Sequence, residues 1–221
     1  MGKHVLITGA TGMVGGLVLT LCLESREVSR VTSLLRRKSG IRHEKLTKII
    51  IQDFSVLDEN ADCFEAVDIV YYCLGVYTGA VDRVLFRKIT VDYPETLARA
   101  VLAKNSEVTF CLLSGAGADR TEKSRMMFSQ DKGAVENRLS RMGFRAFHAF
   151  RPGYIYPVTP RNEPNVTYRL MRRLYPVLNM LAPRFSITST DLAAAIFTVG
   201  MKGYELEILE NRDILKVIGR A

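Results

Sequence analysis

A chain of 221 residues, 48% of them hydrophobic, can bury one substantial core and suits a single domain with at most a small appended lobe. Its formal charge of +8 invites a polyanionic partner. The cations are dispersed over Arg36-Arg37-Lys38, Arg42–Lys48 and Arg169–Arg173, without a dense stripe or interleaved aromatics, which argues against nucleic acid.

The first residues are the most informative. A short apolar strand, Val5–Thr8, runs into a turn with glycines at 9, 12 and 15 and then into a helical stretch over about 12–25. Gly9 allows the tight turn, Gly12 lets backbone approach a pyrophosphate, and Gly15 lets helix pack closely on strand. The helix N-terminus then offers free N–H groups and its positive dipole end to phosphates. A glycine triplet in this strand-turn-helix setting is the dinucleotide-binding fingerprint.

Further strands are expected at Val31–Leu35, Lys48–Gln52, Ile69–Cys73, Val108–Leu113 and Ala146–Phe150. They are short, nearly all apolar and without alternation, as parallel strands covered on both faces should be. Helical stretches intervene at about 81–104 and 126–142; in the latter Phe128, Lys132, Val135, Leu139 and Met142 share a stripe. The alternation predicts a single-domain, Rossmann-type, doubly wound parallel α/β sheet.

After Arg151 the character changes. Residues 152–165 hold four prolines, and a basic amphipathic stretch follows over 166–182. A helical run from Asp191 to Met201, a short strand at Glu205–Leu209 and a last turn or helix complete the chain. Residues 152–221 are expected to form a small lobe closing over the carboxyl ends of the strands of the 1–151 core. Within it, 166–184 is either a face packed on the sheet, a flap closing on cofactor, or a contact for a membrane surface or partner.

Four widely spaced cysteines (Cys22, Cys63, Cys73, Cys111) make no Cys-x-x-Cys pair and are expected to be buried reduced thiols. His4, His43 and His148 show no metal spacing, so no metal is expected. No uncharged apolar run of about 18 residues is present. The fold-forming sequence starts at residue 3 with no signal peptide ahead of it, which makes the cytoplasm the expected location.

Gly9-Ala10-Thr11-Gly12-Met13-Val14-Gly15, Leu35-Arg36-Arg37, Asp53-Phe54, Cys73-Leu74-Gly75, Leu112-Leu113-Ser114-Gly115, Lys132-Gly133 with Glu136, and Arg151-Pro152-Gly153 occur in an order that resembles the atypical short-chain dehydrogenase/reductases, in particular the Tat-interacting-protein branch. The resemblance covers almost the whole chain. Arg36 and Arg37 close the second strand, where an acid would hold the ribose 2′-hydroxyl of NAD and arginine accommodates the 2′-phosphate of NADP. NADP(H) is therefore expected ahead of NAD(H); the alternative is a solvated pair. The resemblance implies that Asp53 accepts from the adenine amino group while Phe54 packs its ring, against an ordinary strand-end acid and core phenylalanine. Gly75, after Cys73 and Leu74, would let backbone pass the ribose, or is a turn glycine.

The resemblance also implies a catalytic Ser, Tyr and Lys, with Tyr four residues before Lys on one helix face. The lysine lowers the phenol pKa so that Tyr exchanges a proton with substrate oxygen. Ser114 and Lys132 stand at two of these positions, but the Tyr position is Phe128, which carries no ionisable proton. Ser129 lies about 100° round the helix and does not replace it. Tyr77 and Tyr154 could reach the pocket from loops. The resemblance gives Lys132 a second role, holding the nicotinamide ribose hydroxyls; its plain alternative is a surface pair with Glu136, worth a few tenths of a kcal/mol.

Three functions are open at this stage: an oxidoreductase-like protein with altered catalysis, a cofactor-dependent sensor or interaction protein, and a nucleotide-sugar epimerase or dehydratase. A protein partner or a homodimer is compatible with each. Fold analogy does not choose among them.

Overall fold

The computed structural model describes residues 2–57, 62–77, 79–159 and 185–220. The stretches 166–182 and 166–184 singled out above, with Pro160 and Pro164, lie outside them.

Among the described residues seven strands build one sheet: β1 (Lys3–Thr8), β2 (Val28–Leu35), β3 (Leu46–Ile50), β4 (Ile69–Tyr72), β5 (Thr109–Leu113), β6 (Ala146–Arg151) and β9 (Ile208–Glu210). Their order is β3-β2-β1-β4-β5-β6-β9, with every neighbouring pair parallel. Because strand side chains alternate, β1 sends Val5 and Ile7 into one core layer and Leu6 into the other. β4 divides likewise, with Tyr71 on one side and Tyr72 on the other. Covered faces explain the near-continuous apolar runs. β3 departs from the expectation. It starts two residues early, sits at the sheet edge and is largely exposed, carrying Lys48, a charge of the kind that blunts edge pairing.

Helix α1 (Met13–Glu24) buries Val14, Val18 and Cys22, and Gly15, Leu19 and Leu23, in two rows spaced four apart. The stretch expected as one helix over 81–104 is broken into α2 (Arg83–Arg87), a π-helical turn (Lys88–Asp92) and α3 (Tyr93–Leu102). Pro94 is the reason: it has no N–H for the Thr90 carbonyl, and its ring crowds that turn. Helix α4 (Met127–Ser140) is clamped to α2 through Asp131, whose fully buried carboxylate takes both the Arg83 guanidinium and Arg87 Nη1, the latter at 2.7 Å.

The C-terminal residues are less separate than the expected lobe. β9 is the seventh strand, and α5 (Ser189–Lys202) packs on α1 within the same core as β1. Thr188 caps α5 by accepting from Asp191 N at 3.1 Å. Two strands not foreseen, β7 (Tyr154–Tyr156) and β8 (Ser186–Thr188), pair in parallel at only three positions. Asn211, at the start of α6 (Asn211–Val217), ties this ribbon to the sheet: its Oδ1 accepts from Gly153 N at 2.9 Å and its Nδ2 donates to Ser186 O at 3.2 Å. Among the described residues no helix is long and apolar enough to cross a membrane.

Candidate functional site

The strand order reverses direction at β1 and β4, and the crevice beyond their carboxyl ends is where ligands bind in such sheets. There the glycine turn is as tight as its sequence demands. Gly9 has a φ of 70°, and a Cβ on it would lie 2.4 Å from the Cys73 carbonyl oxygen. A Cβ on Gly15 would lie 2.3 Å from the Gly9 oxygen and 3.0 Å from Cys73 Cβ. Gly12 closes the turn by donating to Gly9 O at 2.8 Å, and neither a capping side chain nor an acid occupies the first turn of α1. Its N–H groups are left for an anion. Gly15→Ala should therefore push helix from strand, cost about 1–3 kcal/mol in urea unfolding and weaken dinucleotide binding at least about tenfold by calorimetry. Native stability and affinity would contradict the close-packing account.

Three linked clefts follow. One of about 380 Å³ is walled by Gly9, Thr11, Leu34, Leu35, Arg36, Arg37, Lys38, Phe54 and Leu74. The next, about 280 Å³, shares Leu74 and is walled by Gly12, Met13, Val14, Cys73, Gly75, Tyr77, Ser114, Phe128, Lys132 and Ile155, among others. A third, also about 280 Å³, shares Met13, Tyr77, Ser114 and Phe128 and adds Pro152, Gly153 and Tyr154. The fold thus gathers residues from the ends of β1, β2, β4, β5 and β6 along one path. It fits an extended dinucleotide: glycine backbone at the middle, cations at one end, Ser114 and Lys132 at the other.

Asp53, Gly15 and Arg151 do not line these clefts. Asp53 takes Lys88 Nζ at 2.8 Å and Ser55 N at 2.8 Å, which hold its carboxyl well below the usual carboxylate range. Phe54 is buried and stacks on Tyr93 at 5.4 Å between ring centroids. Gly15 works from beneath, by letting α1 approach.

Arg151 carries the main surprise. Its Nε and Nη2 donate to the two oxygens of Glu136 at 3.0 and 2.5 Å, and its Nη1 to Glu210 at 2.9 Å. Glu136 is fully buried and also accepts from Ser114 Oγ at 2.5 Å. The surface pair of Lys132 with Glu136 is therefore not what forms. Glu136 turns inward to Arg151, because a buried carboxylate needs a bidentate partner and its remaining lone pairs filled. Lys132 Nζ donates instead to Leu113 O at 3.1 Å, and burial pulls its pKa down to about 8 against the opposing charge of Glu136. The sequence held a clue: Glu136 lies one turn after Lys132, and Arg151 ends a mostly apolar strand.

Phe128 lines the same cleft as Ser114 and Lys132, with its ring tip over Gly115; a Cβ there would meet Cζ at 2.6 Å. Gly133 is needed for a different reason, since a Cβ on it would lie 1.8 Å from Asp119 O. Ser129 is buried, and its carbonyl accepts from Asp119 N at 2.9 Å. No cysteine is in a disulfide, and burial raises Cys63 to about 11 and Cys73 to about 12. His4 and His148 are buried and their pKa values lowered chiefly by that burial; among the described residues no acidic, cysteine or histidine cluster could hold a metal.

Residues 5–127 match the model of the NAD dependent epimerase/dehydratase family. The chain is 31% identical over 219 residues to "Protein HTATIP2" of Rattus norvegicus, covering 96% of this chain and 88% of that one. It is 26% identical over 223 residues to "Protein fmp52, mitochondrial" of Aspergillus fumigatus, covering 98% and 94%. The solved structure of the Bordetella bronchiseptica enzyme WbmH in complex with NAD+ superposes with a TM-score of 0.69 at 19% identity, covering 95% of this chain and 75% of that one.

Proposed function

This chain belongs to the NAD-dependent epimerase/dehydratase family, and from that premise we propose that it is an NADP(H)-binding oxidoreductase-like protein with modified proton chemistry. One observation carries the reading: the glycine turn, Arg36-Arg37-Lys38, Ser114, Phe128 and Lys132 all line one linked path at the carboxyl ends of the strands. The turn and the first N–H groups of α1 would take the pyrophosphate, and Arg36 and Arg37 the 2′-phosphate. Gly75 would let the cofactor pass, and Lys132 would hold the nicotinamide ribose. The bound group supplies a hydride or accepts one.

NADP(H) should bind more tightly than NAD(H). Arg36→Ala or Arg37→Ala should weaken NADP by about 10- to 100-fold, since a charge-assisted bond contributes about 1.5–3 kcal/mol, and leave NAD nearly unchanged. Calorimetry with both nucleotides tests this. Equal affinities in the native protein would defeat the NADP assignment.

A second reading, a cofactor-dependent sensor or interaction protein, is favoured by Phe128, which removes the usual acid while keeping every binding element. Phe128 also weighs against a nucleotide-sugar epimerase, which uses the same phenol. The cytoplasm is part of the proposal; since the fmp52 relative is named mitochondrial, subcellular fractionation is its test, and mitochondrial recovery would reject it.

A further inference from the structure

Ser114, Phe128 and Lys132 wall one cleft together. A phenyl ring has no exchangeable proton. Ser114 has one, but its hydroxyl donates it to Glu136 at 2.5 Å, and Arg151 grips that carboxylate through both oxygens. A hydroxyl held this way presents only lone pairs to the cleft. Lys132 remains. Its ammonium has three donors, one of them directed to Leu113 O at 3.1 Å, and it makes no ion pair among the described residues because Glu136 is taken up by Arg151.

We propose that Lys132 delivers the proton to the substrate oxygen in this cleft, doing directly what a phenol does in related enzymes, while Ser114 acts there as a hydrogen-bond acceptor. The inference rests on the oxidoreductase reading and deepens it. In reduction of a carbonyl compound with NADPH as hydride source, the carbon gains hydride, the C=O π pair moves to oxygen, and oxygen takes one proton from Lys132 Nζ. The products are an alcohol, NADP+ and a neutral lysine amine, which water reprotonates. Oxidation of an alcohol runs the same proton back onto Nζ.

An acid is most effective when its pKa lies near the working pH, and burial has brought Lys132 there, to about 8. The other titratable groups facing the cleft are Cys73 and Tyr77 beyond β4 and Tyr154 on β7, with Glu136 on α4 and Arg151 on β6 behind Ser114. Cys73 is held at about 12 and Arg151 above its usual range, so neither changes charge in the neutral range. Tyr77, which unlike Tyr154 lines the same cleft as Lys132, is the nearer rival donor.

Two readouts on the full chain test the proposal. Competitive acetylation with acetic anhydride across pH, read by mass spectrometry on the Lys132 peptide, should give a midpoint near 8 instead of the ordinary value of about 10.4. NADPH-dependent reduction of 4-nitrobenzaldehyde should fall as pH rises through about 8, where the ammonium is lost. Lys132→Met should lower kcat by about 10²–10⁴-fold. Lys132→Arg keeps a cation but does not release its proton, so at saturating NADPH it should be equally slow. Tyr77→Phe should change kcat less than about tenfold and leave the fall in place. A labelling midpoint near that of ordinary lysines, or turnover that vanishes in Tyr77→Phe and survives in Lys132→Arg, overturns the proposal and leaves the oxidoreductase reading standing. Absence of aldehyde reduction in every protein at every pH, with NADPH bound, overturns both.

Discussion

Phe128→Tyr is expected to raise NADPH-dependent carbonyl reduction by about 100-fold, the lower end of what a positioned general acid contributes. Phe128 already lines one cleft with Ser114 and Lys132, so a phenol there gains an acid near an ammonium that lowers its pKa. Its tip rests over Gly115, which has no side chain to obstruct the hydroxyl. The gain should also remove the fall in turnover through pH about 8, since the phenol then supplies the proton. Steady-state rates of the two proteins across pH, with NADPH affinity measured alongside, check this. Turnover at the native level with unchanged affinity would mean that position 128 is not the place of the missing acid.

Glu136→Ala is expected to cost about 3–5 kcal/mol, because it strips the buried partner from a guanidinium whose side chain is only 13% exposed. In a chain of this size such a loss lowers Tm by about 10 °C or more. Glu210 still faces Arg151 but is itself half exposed and holds it through a single nitrogen. Glu136→Ala/Arg151→Met should recover much of the loss, since removing both partners leaves no buried charge unpaired. Urea unfolding of the two variants decides it. A loss under about 1 kcal/mol for Glu136→Ala would show that the pair is solvated and not a buried anchor of the β5–α4–β6 junction.

The strand, turn and helix at the start of the chain were legible because local constraints define them: apolar strand, glycines whose Cβ atoms would strike backbone, then an apolar helix. The parallel, doubly wound class of the sheet followed from β-α alternation. What local pattern could not give was set by tertiary contact. β3 reads as apolar but lies at an edge, because nothing in its own residues says which strands flank it. The break at Lys88–Asp92 needed the effect of Pro94 on the preceding turn. Glu136 reads as a surface partner of Lys132 at helical spacing, and only the arrival of Arg151 from β6 turns it inward. Similarly Arg83 and Arg87, ordinary charges in sequence, converge on Asp131 because α2 lies across α4. The pairing of β7 with β8 joins residues some thirty positions apart through three weakly patterned residues each.

Isotope transfer decides whether this cleft holds NADP(H) and passes hydride to a carbonyl carbon. The protein is loaded with NADPH carrying deuterium at the transferable position, mixed with a panel of aldehydes and ketones, and the products are read by mass spectrometry. Deuterium is expected at the new carbinol carbon for at least one compound, with transfer about 10²–10⁴-fold slower in Lys132→Met. Tight retention of the labelled nucleotide with no deuterium in any product would contradict it and leave the cofactor-dependent sensor.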